Sequence, residues 1–155
     1  MIRVQRSALV ASRVETLYAL VADIEAYPQF LPWCRGAKIH ERRDEYVRAT
    51  LRIDFRGVRQ EFTTENTHQV DARIEMRLID GPFKSLVGCW KFQPLGPNAC
   101  KVEFELAYEF ASALLGRLVG PVFNHIANTL VDAFIRRSEA TASATAKGAA
   151  DGASR

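Results

Sequence analysis

Three histidines and three cysteines are the side chains of this 155-residue chain best suited to hold a metal or act as nucleophiles. Their spacing does not bring them together. His40, His68 and His125 stand far apart, and no His–His or His–Cys pair has the separation of a zinc site. There is no Cys-x-x-Cys, no Gly-x-Ser-x-Gly elbow and no phosphate loop. Acidic residues on the strand-like segments alternate away from the apolar face, whereas a catalytic acid or base has to project into a pocket. His68 shares the inward parity of Phe62 and Thr64 but falls near a strand end, and His125 lies on a helix flank. Both read as hydrogen-bonded structural residues. No catalytic residue, no metal ligand and no required cofactor is assigned. The chain reads as a binder rather than an enzyme.

Residues suited to binding are more numerous. Phe62, Met76, Trp90, Phe104, Tyr108, Phe123 and Ile126 fall on apolar faces, where they either fill a core or line a pocket of the usual mostly apolar kind. The segment Tyr27-Pro28-Gln29-Phe30-Leu31-Pro32-Trp33-Cys34 is more distinctive. Its two prolines exclude a regular helix or a central strand, yet it carries Tyr27, Phe30, Leu31 and Trp33. It forms either the mouth of a pocket or an irregular loop packed onto the core.

Charge is uneven. From Arg35 to Arg59 there are eight basic and four acidic residues, a local net charge of +4 in a chain of net +3. Arg48, Arg52 and Arg59 alternate away from the apolar side of their strands and are the candidate RNA contacts, against the plainer reading of a solvated sheet face.

These residues need a scaffold, and the sequence supplies one. Hydrophobic content is 48%, enough for one domain with a real core. No stretch of about 18 uninterrupted apolar residues predicts a membrane span, and no signal-peptide core is visible, so a cytoplasmic protein is expected. Cys34 stands alone. Cys89 and Cys100 fall on adjacent strands but on the order of 15 Å apart, so free thiols are expected. Ile2 to Val10 reads as a strand. Ser12 and Glu15 read as a capping box opening a helix near Arg13 that runs to about Ala22, and Asp23 caps a second short helix. Six period-two strands follow, the clearest placing Val102, Phe104, Leu106, Tyr108 and Phe110 on one face.

From Ser112 to Ser138 the chain reads as one amphipathic helix. At about 100° per residue, Leu115, Val119, Val122, Phe123, Ile126, Leu130, Ala133 and Phe134 fall within a sector roughly 120° wide. Gly120-Pro121 predicts a kink or a break, and Val131 and Ile135 fall off the stripe, exposed or facing a partner. Residues 139–155, rich in Ala, Ser, Thr and Gly, predict a disordered tail beyond a domain of residues 1–138.

The Tyr27–Cys34 segment, Asp80-Gly81-Pro82-Phe83-Lys84 and Trp90-Lys91-Phe92, in that order, resemble the START-like family of coenzyme Q-binding proteins and ribosome association toxins, formerly described as oligoketide cyclase-like. The resemblance covers about Met1 to Ser138. It implies an α+β helix-grip fold, with a seven-stranded antiparallel sheet wrapped round the C-terminal helix, two short helices after the first strand, and an apolar cavity between sheet and helix. It also implies a monomer that binds a hydrophobic small molecule, ubiquinone foremost, in support of respiration, with transient membrane contact and a membrane-peripheral place. Association with the large ribosomal subunit is the alternative, and polyketide cyclisation a lesser one.

Overall fold

The strand Ala99–Phe110 shows why this chain makes a one-sided sheet. Val102, Phe104, Leu106 and Tyr108 are buried, and Lys101, Glu103, Glu105 and Glu109 alternate with them toward water. The computed structural model describes the backbone of residues 1–153 and the side chains of residues 1–141. The elements run β1 (Ile2–Val10), α1 (Val14–Ala22), a 3-10 helix (Ile24–Gln29), β2 (Cys34–Arg43), β3 (Tyr46–Phe55), β4 (Val58–Gln69), β5 (Arg73–Asp80), β6 (Phe83–Gly96), β7 (Ala99–Phe110) and α2 (Ala113–Ala153). All seven strands join one antiparallel sheet in the order β1-β7-β6-β5-β4-β3-β2. Hairpins join β2 through β7. The single long crossing, from β1 to β2 at the opposite edge, is made by α1 and the 3-10 helix. α2 packs on β7, β1 and β4 from within the curve of the sheet, and α1 packs on α2. This is the expected α+β helix-grip architecture.

Several local expectations change. The helix after β1 starts at Val14, with Arg13 in the N-cap position and no side-chain cap. Ser12 lies one residue too early to reach the free N–H groups of the first turn. Its hydroxyl is buried without a partner, so there is no capping box. Asp23 makes no side-chain cap either, and the next element is a 3-10 helix that includes Pro28. α2 passes Gly120-Pro121 without a break. Pro121 is exposed, so the backbone carbonyl it leaves free lies on the watered side.

Val131 is buried, and Ile135 is half-buried against the core. The reason is α1, which covers a second side of α2 and widens the buried sector beyond what the sheet alone requires. Over Ala113–Thr141 the helix is long and apolar enough to cross a membrane, with mean hydropathy 1.2. Enclosure by sheet and α1 accounts for part of that apolarity, while Leu114 and Leu118 are exposed. Where a disordered tail was expected from residue 139, the backbone continues helical to Ala153, as its alanines favour. Ser138 is the last buried side chain among the described residues, and residues 154–155 lie outside them.

Gly88 on β6 has a packing reason. A Cβ there would come 2.6 Å from Met76 Cε and 3.0 Å from Leu106 Cδ1. The side chains of the two neighbouring strands therefore close over the space a residue 88 would fill.

Candidate ligand cavity

Between the concave face of the sheet and α2 lies an interior cavity of about 80 Å³. Alternation places its walls. β3 gives Ala49 and Leu51, β4 gives Phe62, Thr64 and Asn66, and β5 gives Met76. β6 adds Leu86 and Trp90, and β7 adds Phe104 and Leu106. α2 closes the space with Phe123, Ile126, Ala127, Leu130 and Phe134, and the crossing segment adds Ile24, Tyr27 and Trp33.

Of the residues expected at a cavity or its mouth, Phe30, Leu31 and Tyr108 do not line it. Phe30 packs its ring 5.4 Å from that of Phe134, with the Arg137 guanidinium 5.1 Å above it. Leu31 is sealed in the core. Tyr108 lies on the correct face, but Phe123 stands against it at 4.7 Å and its hydroxyl donates to Asn124 Oδ1. Burial pushes the Tyr108 hydroxyl up to about 12.

The crossing segment is packed down rather than exposed. Leu31 N donates to the Tyr27 carbonyl at 2.9 Å, Cys34 N to the Leu31 carbonyl at 3.0 Å, and Asp54 N on β3 to the Trp33 carbonyl at 3.0 Å. The Tyr27 ring meets Phe134 edge-on at 5.3 Å, and its hydroxyl donates to the Val21 carbonyl, clasping the segment to the end of α1. Three of the four large apolar side chains are buried, and Phe30 is half-buried.

Thr64 and Asn66 were not singled out as site residues, because both are polar. Both are buried, and Thr64 Oγ1 donates to Asn66 Oδ1 at 2.9 Å. The available signal was parity, since both continue the inward face begun by Phe62. The next inward residue, His68, is outside the cavity. Its Nδ1 lies 3.0 Å from the Tyr18 hydroxyl of α1. Burial lowers the His68 pKa, and Arg42 adds to this. The neutral ring is therefore the folded form, while the unfolded chain takes up a proton near pH 6.5. Stability at His68 is complete above that pH and is lost progressively as pH falls toward the depressed folded value. His68→Gln is expected to flatten the loss of stability below pH 6.5, read from denaturant midpoints across a pH series.

On the outer face, the register sets each candidate RNA-contact arginine beside a carboxylate. Arg48 stands between Glu41 on β2 and Glu65 on β4, and Arg52 is opposite Glu61. Arg59 Nε lies 3.6 Å from Asp54. Arg59 is ion-paired to Asp54, whereas Arg48 and Arg52 are only register neighbours of carboxylates, and Glu41 and Glu65 are held by Arg43 and Arg77.

A broader open groove, about 790 Å³, crosses the outer face of the sheet, with Glu65, Glu75, Arg77 and Glu105 among its lining. It is the larger concavity but lacks enclosed apolar walls, so an apolar molecule would lose little water there. The enclosed cavity is the better candidate.

A curved antiparallel sheet gripping a C-terminal helix, with an apolar void between them, defines a START-like helix-grip protein. The chain belongs to the polyketide cyclase / dehydrase and lipid transport family, whose profile matches residues 10–135. The ribosome association toxin RatA of Escherichia coli (strain K12) is 42% identical over 113 residues, 73% of this chain and 72% of that protein. The mitochondrial coenzyme Q-binding protein COQ10 of Drosophila melanogaster is 28% identical over 114 residues, 70% of this chain and 47% of that protein. Among solved structures, the 18 kDa protein CC1736 of Caulobacter crescentus is 31% identical with a TM-score of 0.73, over 92% of this chain and 99% of that one. The Zhui aromatase/cyclase from Streptomyces, at 17% identity and a TM-score of 0.75 over 89% of this chain and 93% of that one, shares the fold alone.

Proposed function

We propose that the protein carries a polyprenyl quinone of the ubiquinone type, headgroup and nearest isoprene units inside the cavity, in support of respiratory electron transport. The carrying observation is an interior space with apolar walls interrupted by one polar pair, Thr64 and Asn66. In the closed form this space is well below the roughly 300–1,000 Å³ of a small-molecule site. A space this small does not admit a quinone ring as it stands, which counts against the quinone, so the reading requires that loading expand the cavity by displacing the Tyr27–Trp33 crossing and the flexible thioether of Met76.

Catalytic cyclisation has less support. Tyr27 is the only titratable side chain on the described cavity wall, and its hydroxyl is held by the Val21 carbonyl. Brief membrane contact belongs to this reading, because the cargo resides in bilayers. Leu114 and Leu118, exposed one turn apart with Arg117 between them, give the start of α2 an interfacial character. Organic extraction of freshly purified protein followed by mass spectrometry tests the proposal. Co-purifying quinone is expected, and protein that carries no lipid and binds no added quinone overturns it.

The second reading is association with the large ribosomal subunit, favoured by relatives at 42% identity that are named for ribosome association. Phosphate contacts would supply affinity that falls steeply with salt. Replacing Arg48, Arg52 and Arg59 together with Gln is expected to lower cosedimentation with large subunits while leaving fold and ligand binding intact. Unchanged cosedimentation across a salt series excludes this face.

A further inference from the structure

The cavity is not uniformly greasy, and its polarity has a direction. Thr64 Oγ1 donates to Asn66 Oδ1 at 2.9 Å, which occupies the acceptor end of the amide and fixes which way the side chain points. Asn66 Nδ2 keeps two N–H donors. No described group accepts from it, although the residue is only 5% exposed and belongs to the cavity wall. Among the described residues four buried side-chain polar atoms are sealed off without partners, Ser12 Oγ, His68 Nε2, Arg73 Nε and Ser85 Oγ. Asn66 Nδ2 is not one of them, and the residue lines the cavity. A bare amide donor in an apolar enclosure is unfavourable until something accepts from it.

The chemistry of the acceptor follows from the rest of the wall. Among the described residues no Lys, Arg or His lines the space, so a carboxylate or phosphate would enter as an uncompensated charge. A saturated hydrocarbon would leave the donor bare. A neutral carbonyl or ether oxygen carried on an apolar body satisfies both conditions.

We propose that Asn66 is the polar anchor of the cavity, donating through Nδ2 to a neutral headgroup oxygen and so selecting oxygen-bearing apolar ligands over plain hydrocarbons and free fatty acids. Thr64 acts as a positioning residue by holding the amide in that orientation. This rests on the ligand-carrier reading and names what the carrier recognises.

The test compares decylubiquinone with decylbenzene, which keeps ring and chain but has no oxygen, using quenching of Trp33 and Trp90 fluorescence. Wild-type protein is expected to bind decylubiquinone at least about tenfold more tightly than decylbenzene. Asn66→Leu should remove most of that preference by weakening the quinone alone, and Thr64→Val should reduce it in part. The side-chain amide resonances of Asn66 should move downfield on adding decylubiquinone and not on adding decylbenzene. That measurement on the wild-type chain decides the matter should Asn66→Leu fail to fold. Equal wild-type affinities, an Asn66→Leu effect of the same size on both ligands, or an unmoved amide resonance overturns the anchor while leaving the carrier intact. Binding of neither ligand overturns both.

Discussion

Phe104→Ala is expected to lower the free energy of unfolding by roughly 3 kcal/mol, the low end of the range for deleting a buried phenylalanine. Phe104 is 1% exposed at the centre of β7, its ring 4.5 Å from Trp90. Its transfer term is therefore complete. The ring also borders the 80 Å³ void, so one side already lacks some contact partners and fewer contacts are lost than in a filled core. A fall in melting temperature of about 6–12 °C should accompany the change in a domain of this size. Deletion also enlarges the cavity, so added decylubiquinone should restore part of the loss through its preferential binding to the folded state. A cost under about 1 kcal/mol would mean that β7 does not face α2 as described.

Met76→Asp is expected to abolish quinone binding at pH 7, with affinity reduced by a hundredfold or more. Met76 is half-buried on β5, in register between Asn66 on β4 and Gly88 on β6, and forms part of the cavity wall. A carboxylate there has no lining cation among the described residues to pair with, so its charge must be desolvated or neutralised whenever a ligand expels water. Such a site raises the pKa of the acid. The defect should therefore shrink as pH falls and the neutral acid forms, with binding recovering in part before the ordinary carboxylate pKa of about 4 is reached. Titration of decylubiquinone at several pH values checks this. Wild-type affinity at pH 7 would remove the cavity as the binding site.

The strand alternation of β7 and the stripe of α2 were legible because each has one period and one buried face. β2 was not. Its register shifts between Cys34 and Gly36 and again between Ile39 and Glu41, and each bulge reverses the parity on which a period-two reading depends. Val131 was misplaced because a helical wheel shows how wide the apolar sector is, not how many neighbours enclose it. Tyr108 was misplaced for a related reason, since parity gives the face of a residue but not whether Phe123 stands between it and the void. Asn66 was overlooked because the face of β4 was read as apolar, although its position was as visible as that of Phe62. The juxtaposition of Arg48 with Glu41 and Glu65 depends on cross-strand register, which the β2–β3 and β3–β4 hairpins set and which no single segment states.

The small volume of the void beside the Tyr27–Val21 hydrogen bond bears on timing. A quinone ring with its first isoprene units is larger than an 80 Å³ space, so the empty protein has to open before anything enters. Association would then be limited by the rate of opening, and the observed rate should level off as ligand concentration rises rather than climb in proportion. If the open form is about one molecule in a hundred, apparent affinity falls about a hundredfold below that of the open site. The same gate slows escape. On the proposed carrier reading, a cargo held this way would survive passage through water between bilayers and leave where contact with a membrane opened the crossing segment.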